Sequence, residues 1–117
     1  MKLDRSRPAY VIENHCDGRS SEVQPLLVQS LQERGFKISQ GTESKRPADV
    51  TTVVRYDCQW HWDITWYLLD LQVGLYEAPE NLLIASGHST RSSLARAPAN
   101  VVVEEAIGAM LGETGKP

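Results

Sequence analysis

The residues best suited to chemistry crowd into one stretch of the sequence, from Tyr56 to Tyr67. Asp57, His61 and Asp63, with His88 further on, pair carboxylates with imidazoles, the groups used for general acid–base work. The nearest hydroxyls are Ser86, Ser89, Ser92 and Ser93. No known arrangement joins them. Ala85-Ser86-Gly87-His88-Ser89 lacks the Gly-x-Ser-x-Gly elbow of a nucleophilic serine, and no glycine-rich loop is present to cradle a phosphate. The sequence therefore assigns no catalytic residue and no cofactor.

Two cysteines invite two readings. Cys58 and His61 have a Cys-x-x-His spacing that suits two metal ligands in a tight turn, with His15 or Cys16 as a third. However, adjacent strand residues point to opposite faces, so His15 and Cys16 do not both converge, and no further ligand closes a tetrahedral set. No metal site is assigned. The alternative is a Cys16–Cys58 disulfide. A right-handed crossover can set their two strands side by side and parallel, and in an oxidising compartment the bridge would stabilise the fold by roughly 3–4 kcal/mol. In the cytosol both would be buried thiols.

The aromatic residues are the third feature. Trp60, Trp62, Trp66, Tyr56 and Tyr67 place five of the eight aromatic residues in twelve positions. Exposed, they would make a surface for peptide, glycan or lipid; buried, they would form a lid over one end of the domain, which is the usual fate of indole rings. Trp60, His61, Trp62 and Trp66 are the candidate binding residues. Trp60 and Trp62 are two apart and share a face of a regular strand, so one surface is expected to bury or expose both.

Residue periodicity shows which elements must position these groups. Ala9 to Asn14 reads as a strand ending at the Asp17-Gly18 turn signal. Val23, Leu27, Val28 and Leu31 recur at helical spacing, predicting a helix near 22–34, with Ser21 and Gln24 as a capping box and Gly35 as a left-handed stop. A short strand over 35–39 and a polar loop from Gln40 to Pro47 follow. Val50 to Cys58 and Trp66 to Tyr76 read as two long strands of a hairpin interrupted at Trp60-His61-Trp62-Asp63, with Leu69, Leu71, Val73 and Leu75 on one face. After the turn Glu77 to Asn81, Leu82 to Ser89 supplies another strand. Val103, Ala106, Ile107 and Met110 stripe a closing helix near 99–111, although Val101-Val102-Val103 would also suit a strand. The order β-α-β-β-β-β-α predicts an α+β two-layer sandwich, a mixed β-sheet with two helices on one face.

The 117 residues, 41% hydrophobic and 23% charged, suit one globular domain, read as 9–112 between a tether at 1–8 and a tail at 113–117. A net charge of −3 offers no general attraction to phosphate backbones, so nucleic acid is excluded as a first-choice partner. The longest apolar runs fall short of a bilayer span, and the opening Met1 to Pro8 lacks the apolar core of a signal peptide. The chain is expected to be soluble.

The run Tyr56-Asp57-Cys58-Gln59-Trp60-His61-Trp62-Asp63-Ile64-Thr65-Trp66-Tyr67-Leu68, with Gly87-His88-Ser89 and the closing helix, resembles small proteobacterial periplasmic lipoproteins, a family without an agreed activity. The resemblance implies the fold and a location in the periplasm or anchored at the outer membrane. Neither cysteine follows an apolar leader, so membrane association is expected only through a lipid anchor ahead of this chain. Two functions compete. The first is a non-catalytic envelope domain that binds a protein or glycan partner through the aromatic hairpin or an exposed sheet edge. The second is a small hydrolase or metal-dependent enzyme centred on Asp57, His61 and Asp63, and convergence of these three in a concave pocket would favour it.

Overall fold

The computed structural model describes residues 7–14, 16, 20–77, 82–92, 94, 95 and 97–113, with the side chains of residues 20 and 21 left aside. Five strands form one sheet in the order β2-β1-β3-β4-β5, from β1 (Pro8–Ile12), β2 (Lys37–Gly41), β3 (Thr52–Asp63), β4 (Thr65–Glu77) and β5 (Leu82–Thr90). The helices are α1 (Ser20–Glu33) and α2 (Ala99–Met110). β1 runs parallel to both its neighbours, whereas β3, β4 and β5 form an antiparallel meander, so the sheet is mixed. This is the expected α+β order.

Both helices bury their stripes on one face. Val23, Leu27 and Leu31 of α1 and Val103, Ala106 and Ile107 of α2 share a core with Val54, Tyr56, Cys58, Leu71, Val73 and Leu75 of the meander. Gly35 ends α1 with φ +95°, and the Phe36 amide donates back to the Leu31 carbonyl at 3.1 Å. The Val101-Val102-Val103 run is helical, because Val102 and Val103 are needed in that core and burial outweighs the modest helix penalty of β-branching. Ser21, expected as the cap, lies inside α1, which already includes Ser20, and its side chain is among those left aside; the Asp17-Gly18 and Ala78-to-Asn81 turn signals lie outside the described residues.

Helix α2 packs directly against the backbone of the sheet at Gly87 of β5. A Cβ there would lie 2.0 Å from the Ala106 carbonyl oxygen and 2.6 Å from the Met110 amide nitrogen. Both obstacles are backbone, so α2 itself must move to admit a methyl group. Gly87→Ala is expected to cost about 1–3 kcal/mol, the scale of overpacking, measured as a lower denaturation midpoint.

The opposite face is covered only in part. Tyr10, Ile12, Val50 and Val53 form a second, small cluster there, and the Tyr10 hydroxyl donates to the Thr42 carbonyl at 2.9 Å. A 3-10 turn over Glu43–Lys45 lies in the connection above them, and Arg55 donates to both Glu43 carboxylate oxygens, at 3.2 and 2.7 Å. This pair holds the Glu43 carboxyl below the usual range.

At the end of β4, Glu77 accepts from the hydroxyls of Thr51 (2.5 Å) and Thr52 (2.9 Å) and from Arg7 (3.0 Å). These bonds, Thr51's first, lower its pKa. A carboxyl with a depressed folded-state pKa stabilises the fold above its unfolded pKa of about 4.3, and that contribution is lost as pH falls through the folded value. Melting scans from pH 7 to 3 should therefore fall less steeply for Glu77→Gln than for the wild type.

Candidate functional site

The β3–β4 hairpin outruns the helices. Trp60, Trp62, Trp66 and Leu68 occupy the helix side of it, where Trp60 pairs with Leu68 and Trp62 with Trp66. Trp60 is 9% exposed, bordering a hollow of about 380 Å³ with Glu22 of α1 and Ala97, Pro98 and Ala99 at the start of α2. Trp66 borders the same hollow, yet the pair further out is far more open. Trp62 is 57% and Trp66 47% exposed, with ring centroids 5.6 Å apart and planes tilted by 57°. On the other side of the hairpin His61 meets Tyr67 edge-on at 5.7 Å.

Two expectations are corrected here. The Trp60-to-Asp63 stretch does not interrupt the hairpin; it is the outer end of β3, and the reversal falls at Ile64. Aromatic residues favour strands, and the in–out alternation runs through them unbroken. Nor do Trp60 and Trp62 share one fate. They do share a face, but the ends of the helices reach only the first of them.

The tip is unusual in itself. Ile64 turns the chain with φ +70°, a conformation that β-branched residues rarely adopt, and is 84% exposed. Trp62, Ile64 and Trp66 thus form an apolar prominence at the far end of the molecule.

A bulge sets the phase of these positions. Gln59 pairs with Asp70 and Trp60 with Leu68, which leaves Leu69 without a pairing partner. The alternation therefore slips by one residue. Leu68, only 1% exposed, takes the core position that simple alternation gives to Leu69, which is half-buried.

The enzyme candidates do not converge. Asp57, His61 and Asp63 alternate along the non-helical face of β3, so Asp57 and His61, four residues apart, are separated by roughly 13 Å along the strand. Cys58 points into the core, opposite to His61, and is bonded to Cys16. His15 lies outside the described residues, and among those described no cluster of three His, Cys, Asp or Glu side chains could hold a metal ion. Ser89 faces α2 and donates to Glu105 at 2.8 Å, whereas His88 faces the other way and is hydrogen-bonded to Asp70. Ser93 lies outside the described residues.

The disulfide anchors the site. Cys16 and Cys58, 42 residues apart in sequence, are bonded with Cα atoms 5.1 Å apart, tying the connection between β1 and α1 to the middle of β3. Beside it Tyr56 donates to Gln24 at 2.5 Å and accepts from the Asn14 amide at 3.3 Å; burial pushes the Tyr56 pKa up. The base of the hairpin is thus held covalently and by buried hydrogen bonds, whereas the rings at its tip are largely exposed. The disulfide suits a compartment other than the reducing cytoplasm, and among the described residues no helix is long and apolar enough to cross a membrane.

No protein-family model and no curated protein matches the sequence. Solved structures do match in shape. The dodecamer of a singly substituted variant of PelC from Paraburkholderia phytofirmans superposes with a TM-score of 0.66 at 14% identity, over 97% of this chain and 91% of that one, and the PelC dodecamer without that substitution gives 0.64. A protein named as a neuraminyllactose-binding hemagglutinin homolog, from Helicobacter pylori, superposes with a TM-score of 0.56 at 15% identity, over 99% of this chain and 88% of that one. At such identities what is shared is the fold: a mixed sheet backed by two helices.

Proposed function

We propose that this chain is a non-catalytic binding domain of the bacterial envelope, of the periplasmic lipoprotein type, that docks a protein or glycan partner through the tip of its β3–β4 hairpin. The observation that carries the reading is the exposure of Trp62, Ile64 and Trp66 together. Indole rings left largely in water at the end of a hairpin contribute little to folding, and aromatic anchors of this kind dominate binding energies at interfaces. The scatter of Asp57, His61 and Asp63 gives the enzyme reading no comparable support. One structural neighbour is named as a homolog of a neuraminyllactose-binding hemagglutinin, a name in keeping with a binding role.

The test is co-sedimentation of the purified domain with isolated bacterial envelopes and with sacculi. Trp62→Ala with Trp66→Ala should reduce retention tenfold or more at unchanged stability. Equal retention of wild type and double variant would refute the proposed docking surface.

A further inference from the structure

A second feature lies on the face of the sheet away from the helices, about the middle of β3, β4 and β5. Strand register sets out three parallel rows of side chains. Arg55, Gly74 and Ser86 pair across the strands as the middle row. Val53, Tyr76 and Leu83 form the row on one side; Asp57, Gln72 and His88 form the row on the other. Successive rows on one face are roughly 7 Å apart. The middle row is low because Gly74 has no side chain and Ser86 a short one, so it makes the floor of a trough running across the strands to the β5 edge. The inner end is closed by Arg55, whose guanidinium sits 5.9 Å from the centre of the Tyr76 ring. The cavity, whose lining continues to Gly87 and to Ala109 of α2, measures about 620 Å³, within the usual size of a small-ligand site.

The floor depends on its glycine. A Cβ at Gly74 would lie 2.7 Å from the Tyr76 ring, so the missing side chain is what lets Tyr76 lean over the trough. One wall is then an aromatic ring and an exposed leucine, and the facing wall is a carboxylate, an amide and an imidazole. A ligand filling this space must be apolar on one face and rich in hydrogen-bonding groups on the other.

The charges narrow the class further. Arg55 is matched by Glu43, and the His88 imidazole is hydrogen-bonded to Asp70. The exposed Asp57 carboxylate remains, its side-chain contact being an amide donor, Asn14 Nδ2, at 3.5 Å. A carboxylate or phosphate would be repelled, whereas hydroxyl groups would find an anionic acceptor.

From these features we infer that the trough is a binding site for a neutral saccharide, with the C–H face of a sugar ring on Tyr76 and Leu83 and its hydroxyls on Asp57, Gln72 and His88. This site is separate from the hairpin tip and does not depend on the tip's role.

The experiment is amide chemical-shift titration of the whole chain with lactose, maltose and diacetylchitobiose as neutral probes, and sialyllactose as the acidic one. The inference expects saturable shifts at Gly74, Ser86 and His88 with at least one neutral probe. Ser86→Trp, at an exposed floor position, and Asp57→Ala should each weaken that binding roughly tenfold or more, the worth of one or two good contacts, while Leu94→Ala, at an exposed position outside the trough lining, leaves it unchanged. Three results would overturn it: no saturable shift with any neutral probe, equal or tighter binding of sialyllactose, or binding that survives Ser86→Trp. Shifts confined to residues 60–67 would assign the sugar to the hairpin tip instead.

Discussion

Removing the Cys16–Cys58 bridge, by Cys16→Ala with Cys58→Ala or by reduction, is expected to lower stability by about 4 kcal/mol. The bridge closes a loop of 42 residues, and the chain-entropy relation for a loop of that length gives this figure. Native domains have about 5–15 kcal/mol in all, so the loss is a large share of what holds this one together. The two half-cystines are each 5% exposed and sit in the main core, so their alanine replacements leave only small voids. Chemical denaturation with and without reductant measures the effect. A midpoint indifferent to reductant would show that the bridge contributes nothing. A cost of this size also ties stability to the compartment, since an oxidising environment keeps the bridge closed and a reducing one opens it.

Trp60→Ala should be comparably damaging, at about 3–5 kcal/mol, the scale for truncating a buried aromatic side chain. Trp62→Ala and Trp66→Ala, changes to exposed rings, should each stay within about 0.5 kcal/mol of wild type. The three indoles fall within seven positions of one hairpin, so the comparison holds local strand propensity nearly constant and varies burial. Urea titration of the three single variants is sufficient. A loss at Trp62 as large as that at Trp60 would mean that the tip is a structural lid.

The sequence made the framework legible because the helices repeat their apolar residues at three and four positions and the strands carry Val, Thr and aromatic runs. The Cys16–Cys58 pairing was legible for the same reason, as a parallel β1–β3 arrangement follows from a right-handed crossover. Three features were not. The bulge at Leu69 depends on how two strands pair, and no residue type announces it, so Leu68 could not be read as core. The different fates of Trp60 and Trp62 depend on how far the ends of the helices reach along the hairpin, a tertiary distance that strand periodicity does not contain. The trough needs the register of three strands at once. Its one local signal was Gly74, a glycine inside an otherwise good strand, which commonly marks a bulge or a close approach.

The central claim is that the hairpin tip meets a partner in the envelope, and a photo-activated cross-linker placed at residue 64 tests it most directly. Ile64 is 84% exposed at the apex, and Leu94, 98% exposed in the connection before α2, is the matched control for exposure alone. Irradiation of cells exporting the full chain should give a discrete adduct from position 64 that is lost on adding Trp62→Ala and Trp66→Ala, and none from position 94. No adduct from position 64, or the same adduct from both positions, would contradict the account.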